Sequence, residues 1–187
     1  EDFFMSKQNN NLKSLVLCAI LVALAAVLGM IKLLHLPYGG SITLLSMLAC
    51  TLCGYYCGLA KGLTAGLALG LLNLVLGGYV VHPVQLVLDY FLAFTALGLS
   101  GLTYKWKNGL ISGYIIGVCG RFVCSFLSGY IFFAEYAPEG MNPIVYSLIY
   151  NFICFGVEAL ITVIILSIPV INNFFKRTKT QFLQEQL

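Results

Sequence analysis

Long apolar runs, separated by short stretches that hold Pro, Gly and charge, set the pattern of this chain. A transmembrane helix needs about 20 mainly apolar residues. Six runs approach that length, near residues 12–34, 42–56, 63–76, 83–104, 110–133 and 144–171. The second and third are short, so tilting or bending is expected there. Breaks fall at Leu36-Pro37-Tyr38-Gly39-Gly40-Ser41, at Gly58–Gly62, at the basic loop Lys105-Trp106-Lys107-Asn108, and at the polar loop 134–143. Only helices and closed barrels satisfy every backbone group in lipid, and no run alternates with a strand's period. The pattern therefore predicts an all-α integral membrane protein of six transmembrane helices, with no sheet. A polar tail covers residues 1–11, and its residues before Met5 read in part as an expression remnant. The six-helix domain covers 12–175, and a basic, polar tail covers 176–187.

Composition strengthens this reading. The chain is 60% hydrophobic and 9% charged, with mean hydropathy +0.94, against about 25% charged residues in ordinary soluble domains. Lys7, Lys13, Lys61, Lys105, Lys107, Lys176, Arg177 and Lys179 all fall on one side of a six-span topology, and only Lys32 falls on the other, with Glu135 and Glu139. By the positive-inside rule both termini are expected to be cytoplasmic. The net charge of +3 follows from those loops, and no nucleic-acid partner is expected. No nucleotide-binding loop is present, so the chain is no ATPase. Cys50, Cys53 and Cys57 share one helix face, but without a neighbouring His they read as small buried hydrophobes rather than a metal site. His35 and His82 read as interfacial, and His82-Pro83 as shaping the start of the fourth helix. No metal or cofactor is expected, and nothing points to an enzyme.

Polar groups inside the spans carry the functional signal. Asp89 lies about 9 Å, Asn151 about 10 Å and Ser125 about 13 Å below the outer boundary at 1.5 Å per helical residue, with Tyr146 above Asn151. These groups can converge on one outward-opening cavity, with Tyr79, Tyr90, Phe133 and Tyr136 as its wall or lid. Ser125 and Asn151 equally suit hydrogen bonds between helices. Deeper, at about 20 Å, Arg121 and Glu158 are expected to pair. A carboxylate among aromatic faces suits a flat cation. Ala19 and Ala23 make a small-xxx-small pair that could admit a partner helix.

At these residues the sequence resembles the thiamine-binding S-components of energy-coupling factor (ECF) vitamin transporters. The likeness covers nearly all of the chain after Lys13. It rests on Gly39-Gly40-Ser41, Gly62-Leu63-Thr64-Ala65-Gly66, His82-Pro83-Val84-Gln85 through Asp89-Tyr90, and Ser128-Gly129 with Phe132-Phe133. Tyr136-Ala137-Pro138-Glu139-Gly140 and Tyr146-Ser147-Leu148 with Asn151 complete it. The resemblance implies a six-helix fold that captures thiamine at its outer face and works with a coupling membrane subunit and two ATPases. It implies a pocket of Tyr79, Asp89, Tyr90, Phe133, Tyr146 and Asn151, and a coupling face at Ala19 and Ala23. Some relatives carry Glu at the position of Asp89, Trp at Phe133, His at Ser125 and Trp at Gly40. Two alternatives stay open: a related ligand such as thiamine's pyrimidine precursor, or a stand-alone ion-coupled transporter.

Overall fold

The computed structural model describes residues 2–36 and 40–184, with side chains from Asn10 onward. Seven helices follow in order: α1 (Asp2–Met30), α2 (Ser46–Cys57), α3 (Leu59–Val75), α4 (Pro83–Thr103), α5 (Gly109–Phe132), α6 (Pro143–Ser167) and α7 (Pro169–Gln184). The apolar part of α1 with α4, α5 and α6 makes four helices long and apolar enough to cross a membrane, and α3 is a shorter apolar helix.

The expectation of no sheet is corrected. Between α1 and α2 lies an antiparallel hairpin of β1 (Lys32–His35) and β2 (Ser41–Thr43), pairing Lys32 with Thr43, Leu34 with Ile42 and His35 with Ser41. Apolar run length does not separate helix from strand where Ile31, Leu33 and Leu34 simply continue the run. Pro37, Tyr38 and Gly39 of the predicted turn motif lie outside the described residues. A second difference is at the other terminus, where the sixth apolar run stops at Ser167. Ile168 is extended before Pro169, and α7 starts there as a separate amphipathic helix. A proline favours a helix's first turn and an extended residue before it.

α2 sits at the centre. Every residue from Ser46 to Tyr56 is buried, as expected of a helix without a polar face. It packs on α1, α3, the end of α4 and α5. Gly62, Gly66 and Gly70 on α3 place bare backbone against carbonyls of Gly98, Phe94 and Tyr90 on α4, where an added Cβ would collide. The helices thus approach as closely as small residues allow. Twelve residues make α2 only about 18 Å long, short of the roughly 30 Å of hydrocarbon. The space over its N-terminus is where the cavity forms.

Candidate functional site

The cavity has a volume of about 280 Å³ and draws residues from every helix from α1 to α6 and from the hairpin. Its floor is the start of α2, with Thr43 and Ser46, and Glu158 and Arg121 beside them. Asp89, Tyr90, Phe94 and Gln85 come from α4, and Ser125 and Gly129 from α5. Tyr146, Ser147, Tyr150, Asn151 and Phe155 come from α6. Both α4 and α6 widen here into a π-helical turn, at Val87–Leu92 and Phe152–Gly156. Such turns re-aim side chains and recur at functional sites. Asp89 lies inside the first, and Asn151 immediately precedes the second.

The two carboxylates of the cavity are held differently. Asp89 Oδ2 accepts from Gln85 Nε2 at 2.7 Å and from Ser128 Oγ at 2.8 Å. Its Oδ1 has no hydrogen-bond donor among the described residues, and Asp89 lines the cavity. Glu158 accepts from Thr43 Oγ1 at 2.5 Å, from the backbone N–H of Met47 at 3.1 Å and from Ser46 Oγ at 3.4 Å. It thereby caps α2, whose first N–H groups have no partner within the helix, and its charge complements the positive end of the helix dipole. Leu45, just before α2, is left-handed with φ 57°.

The predicted Arg121–Glu158 pair is corrected. The Arg121 guanidinium lies over the rings of Phe94 and Phe155, at 4.1 and 4.6 Å from their centroids, and its Nε has no hydrogen-bond partner. Thr43, Ser46 and the Met47 N–H, at and just before the start of α2, take the Glu158 carboxylate instead.

Tyr79, Tyr90, Ser125, Phe133, Tyr146 and Asn151 line the same space. Asn151 Nδ2 donates to the carbonyls of Ser147 at 2.9 Å and Ser125 at 3.3 Å, tying α6 to α5. Ser125 and Asn151 are buried, and both face the cavity. The rings of Tyr146 and Tyr150 meet at a tilt of 36°, with centroids 5.9 Å apart. Tyr90 donates to the carbonyl of Tyr79 at 3.3 Å, and Tyr79, Phe133 and Tyr136 form a chain of rings with centroids 6.2 and 5.9 Å apart. Tyr136 stands behind Phe133 and does not line the cavity. His82 caps α4, its Nδ1 accepting from the Val84 N–H at 3.1 Å, and stacks on Phe132.

Gln85, Ser128, Ser147 and Tyr150 are among the contributors given no role here from the sequence. Gln85 stands four residues before Asp89, a spacing that alone puts both on one helix face. Ser128 and Ser147 stand in motifs that carry the resemblance, and Tyr150 carried no such signal. Tyr150 hydroxyl accepts from the Gly40 N–H at 2.9 Å, holding the hairpin against α6, and a Cβ at Gly40 would collide with it. Ala19 and Ala23 lie outside this site, exposed on the outer face of α1 beside Ile20 and Leu24. Among the described residues no group of His, Cys, Asp and Glu is placed to hold a metal ion, and the cysteines are free.

Comparison with known proteins gives the family. Residues 15–177 match the family described as Thiamine transporter protein (Thia_YuaJ). The chain is 34% identical over 160 residues to the thiamine transporter ThiT of Bacillus subtilis, covering 77% of this chain and 83% of that one. ThiT of Lacticaseibacillus paracasei is 39% identical over 88 residues, 40% of this chain and 44% of the other. A solved structure of ThiT from Listeria monocytogenes matches with a TM-score of 0.72 at 27% identity, covering 92% of this chain and 98% of that one. This multi-pass membrane protein, with relatives in several bacteria, therefore belongs to the thiamine transporter family, a family of transporters and not of enzymes.

Proposed function

We propose that this chain captures thiamine in the cavity over α2 and delivers it as the S-component of an ECF importer. The observation that carries this reading is the open oxygen of Asp89. A carboxylate with one oxygen bound twice and the other facing an enclosed space is an acceptor waiting for a cationic or N–H-bearing ligand. Thiamine offers both, a thiazolium and an aminopyrimidine. In this reading Asp89 takes the positive or aminopyrimidine end, and Gln85 and Ser128 hold the carboxylate still. Tyr146 and Asn151 supply hydrogen bonds, Ser125 completes the inner wall, and Tyr79, Tyr90 and Phe133 enclose the rings by stacking and cation–π contact.

The same reading takes α1 to α6 as six spans with both termini cytoplasmic, so the hairpin and the Tyr79–Phe133–Tyr136 rings lie at the outer mouth. Ala19 and Ala23 then face a coupling membrane subunit that works with two ATPases. Their exposure on the outer face of α1 supports this, since small residues let a partner helix approach closely. The three donors on Glu158 weigh against an ion relay through that residue.

Calorimetry on the purified protein tests the ligand. Thiamine is expected to bind, and the separated pyrimidine half to compete weakly. A pyrimidine half that binds as tightly as the whole vitamin would move the assignment to the precursor. Uptake by the reconstituted chain without any ATPase would remove the ECF role.

A further inference from the structure

The end of the bundle away from the cavity is cationic, and α7 runs across it. Lys176 Nζ donates to Asn108 Oδ1 at 2.9 Å, which sets α7 beside the loop between α4 and α5. Lys179 Nζ donates to the Tyr104 carbonyl and lies over the rings of Tyr55 and Tyr104, at 4.1 and 4.3 Å from their centroids. Farther along, Phe182 shares an apolar groove with Leu12, Val16 and Ile20 of α1. On the same end Lys61 Nζ donates to Asn11 Oδ1 at 3.3 Å. These contacts gather Lys13, Lys61, Lys105, Lys107, Lys176, Arg177 and Lys179 at one end. The acids whose side chains are described lie elsewhere. Asp89 and Glu158 line the cavity, and Glu135 and Glu139 follow the opposite end of α5.

Lys179 and Lys176 are engaged within the fold. Lys105, Lys107 and Arg177 are exposed. Next to them stand Trp106, 58% exposed and the only tryptophan, and Phe174, 63% exposed on the outward side of α7. Exposed aromatic rings bordered by cations suit a bilayer interface, where rings sit at headgroup level and basic side chains reach phosphate. An acidic protein face would answer the charges and leave both rings without an apolar neighbour.

We propose that the α4–α5 loop and α7 form a binding surface for anionic phospholipid headgroups. Trp106 and Phe174 seat in the interface, Lys105, Lys107 and Arg177 hold the phosphates, and Lys179 locks α7 in the position that presents them. This surface is independent of the cavity and of what the cavity binds.

Trp106 is its own reporter. The full chain is reconstituted in phosphatidylcholine vesicles carrying an equal mole fraction of either brominated phosphatidylglycerol or brominated phosphatidylcholine, with bromines at the same acyl positions. Quenching of Trp106 should be at least about twofold steeper with the anionic lipid, given the attraction of each basic residue to an anionic surface. The excess should vanish in high salt, which screens exposed charges, and in the triple variant Lys105→Gln, Lys107→Gln, Arg177→Gln. These side chains are exposed and stand apart from the cavity, so the variant's melting temperature in detergent should match the parent's and certify its fold. Equal quenching by the two lipids overturns the proposal and leaves an acidic protein surface as the occupant. A triple variant that keeps the excess overturns the residue assignment.

Discussion

Asp89 and Glu158 are the same chemistry in two settings. Both are acids on apolar helices beside a π-helical turn, and both line one cavity. Glu158 has donors on both oxygens, one of them the backbone N–H of Met47. Asp89 has donors on one oxygen only. A buried carboxylate whose acceptors are satisfied belongs to the fold, and one left partly satisfied is held for something that arrives. What separates them is the end of a short helix. α2 stops below Asp89, so its N-terminal donors reach Glu158 and leave the space above open.

This contrast can be broken by experiment. The largest expected effect is on binding: Asp89→Asn should weaken thiamine about 100-fold by calorimetry, the loss typical of removing a buried charged partner. Its melting temperature in detergent should not fall, because the charge removed was incompletely compensated. Glu158→Ala should do the reverse in kind, costing about 3 kcal/mol of stability by leaving Thr43 and the Met47 N–H without an acceptor. If Glu158→Ala melts like the parent, the division of roles is wrong.

Smaller effects sharpen the comparison. Arg121→Ala and Glu158→Ala should be nearly additive in a double-mutant cycle, with coupling under about 1 kcal/mol. A larger coupling would restore the ion pair that the sequence led us to expect. Ser128→Ala should weaken thiamine about five- to tenfold, one neutral hydrogen bond's worth to a charged group, with little change in melting.

The smallest effect lies at the far end. Burial pushes the Lys179 ammonium down to about 8 from its usual 10.5, while the Tyr55 and Tyr104 ring faces favour the charged form. With the folded value below the unfolded one, the folded state binds fewer protons between them. The docking of α7 should therefore strengthen from about pH 8 toward 10.5 and be weakest below 8. Proteolysis of α7 across that range measures it, and protection that falls as the pH rises would mean that the rings prevail.

Much of this was legible in the chain. Asp89, Asn151, Ser125 and Tyr146 were readable as polar positions within apolar runs, and all four line one cavity. Gln85 was readable at four residues from Asp89. Ser128 and Tyr150 were not, since hydrogen bonds between helices depend on how each helix is rotated about its axis. Pro37, Tyr38 and Gly39 of the turn motif lie outside the described residues.

The sequence by itself determined the membrane class and the principal apolar helices, because lipid imposes length and hydropathy on every span. The tertiary structure alone decided partners. Arg121 and Glu158 were expected at one depth, and both line the cavity, yet one rests on two aromatic rings and the other caps α2. Depth is a coordinate along one helix, whereas pairing depends on the rotation and packing of several.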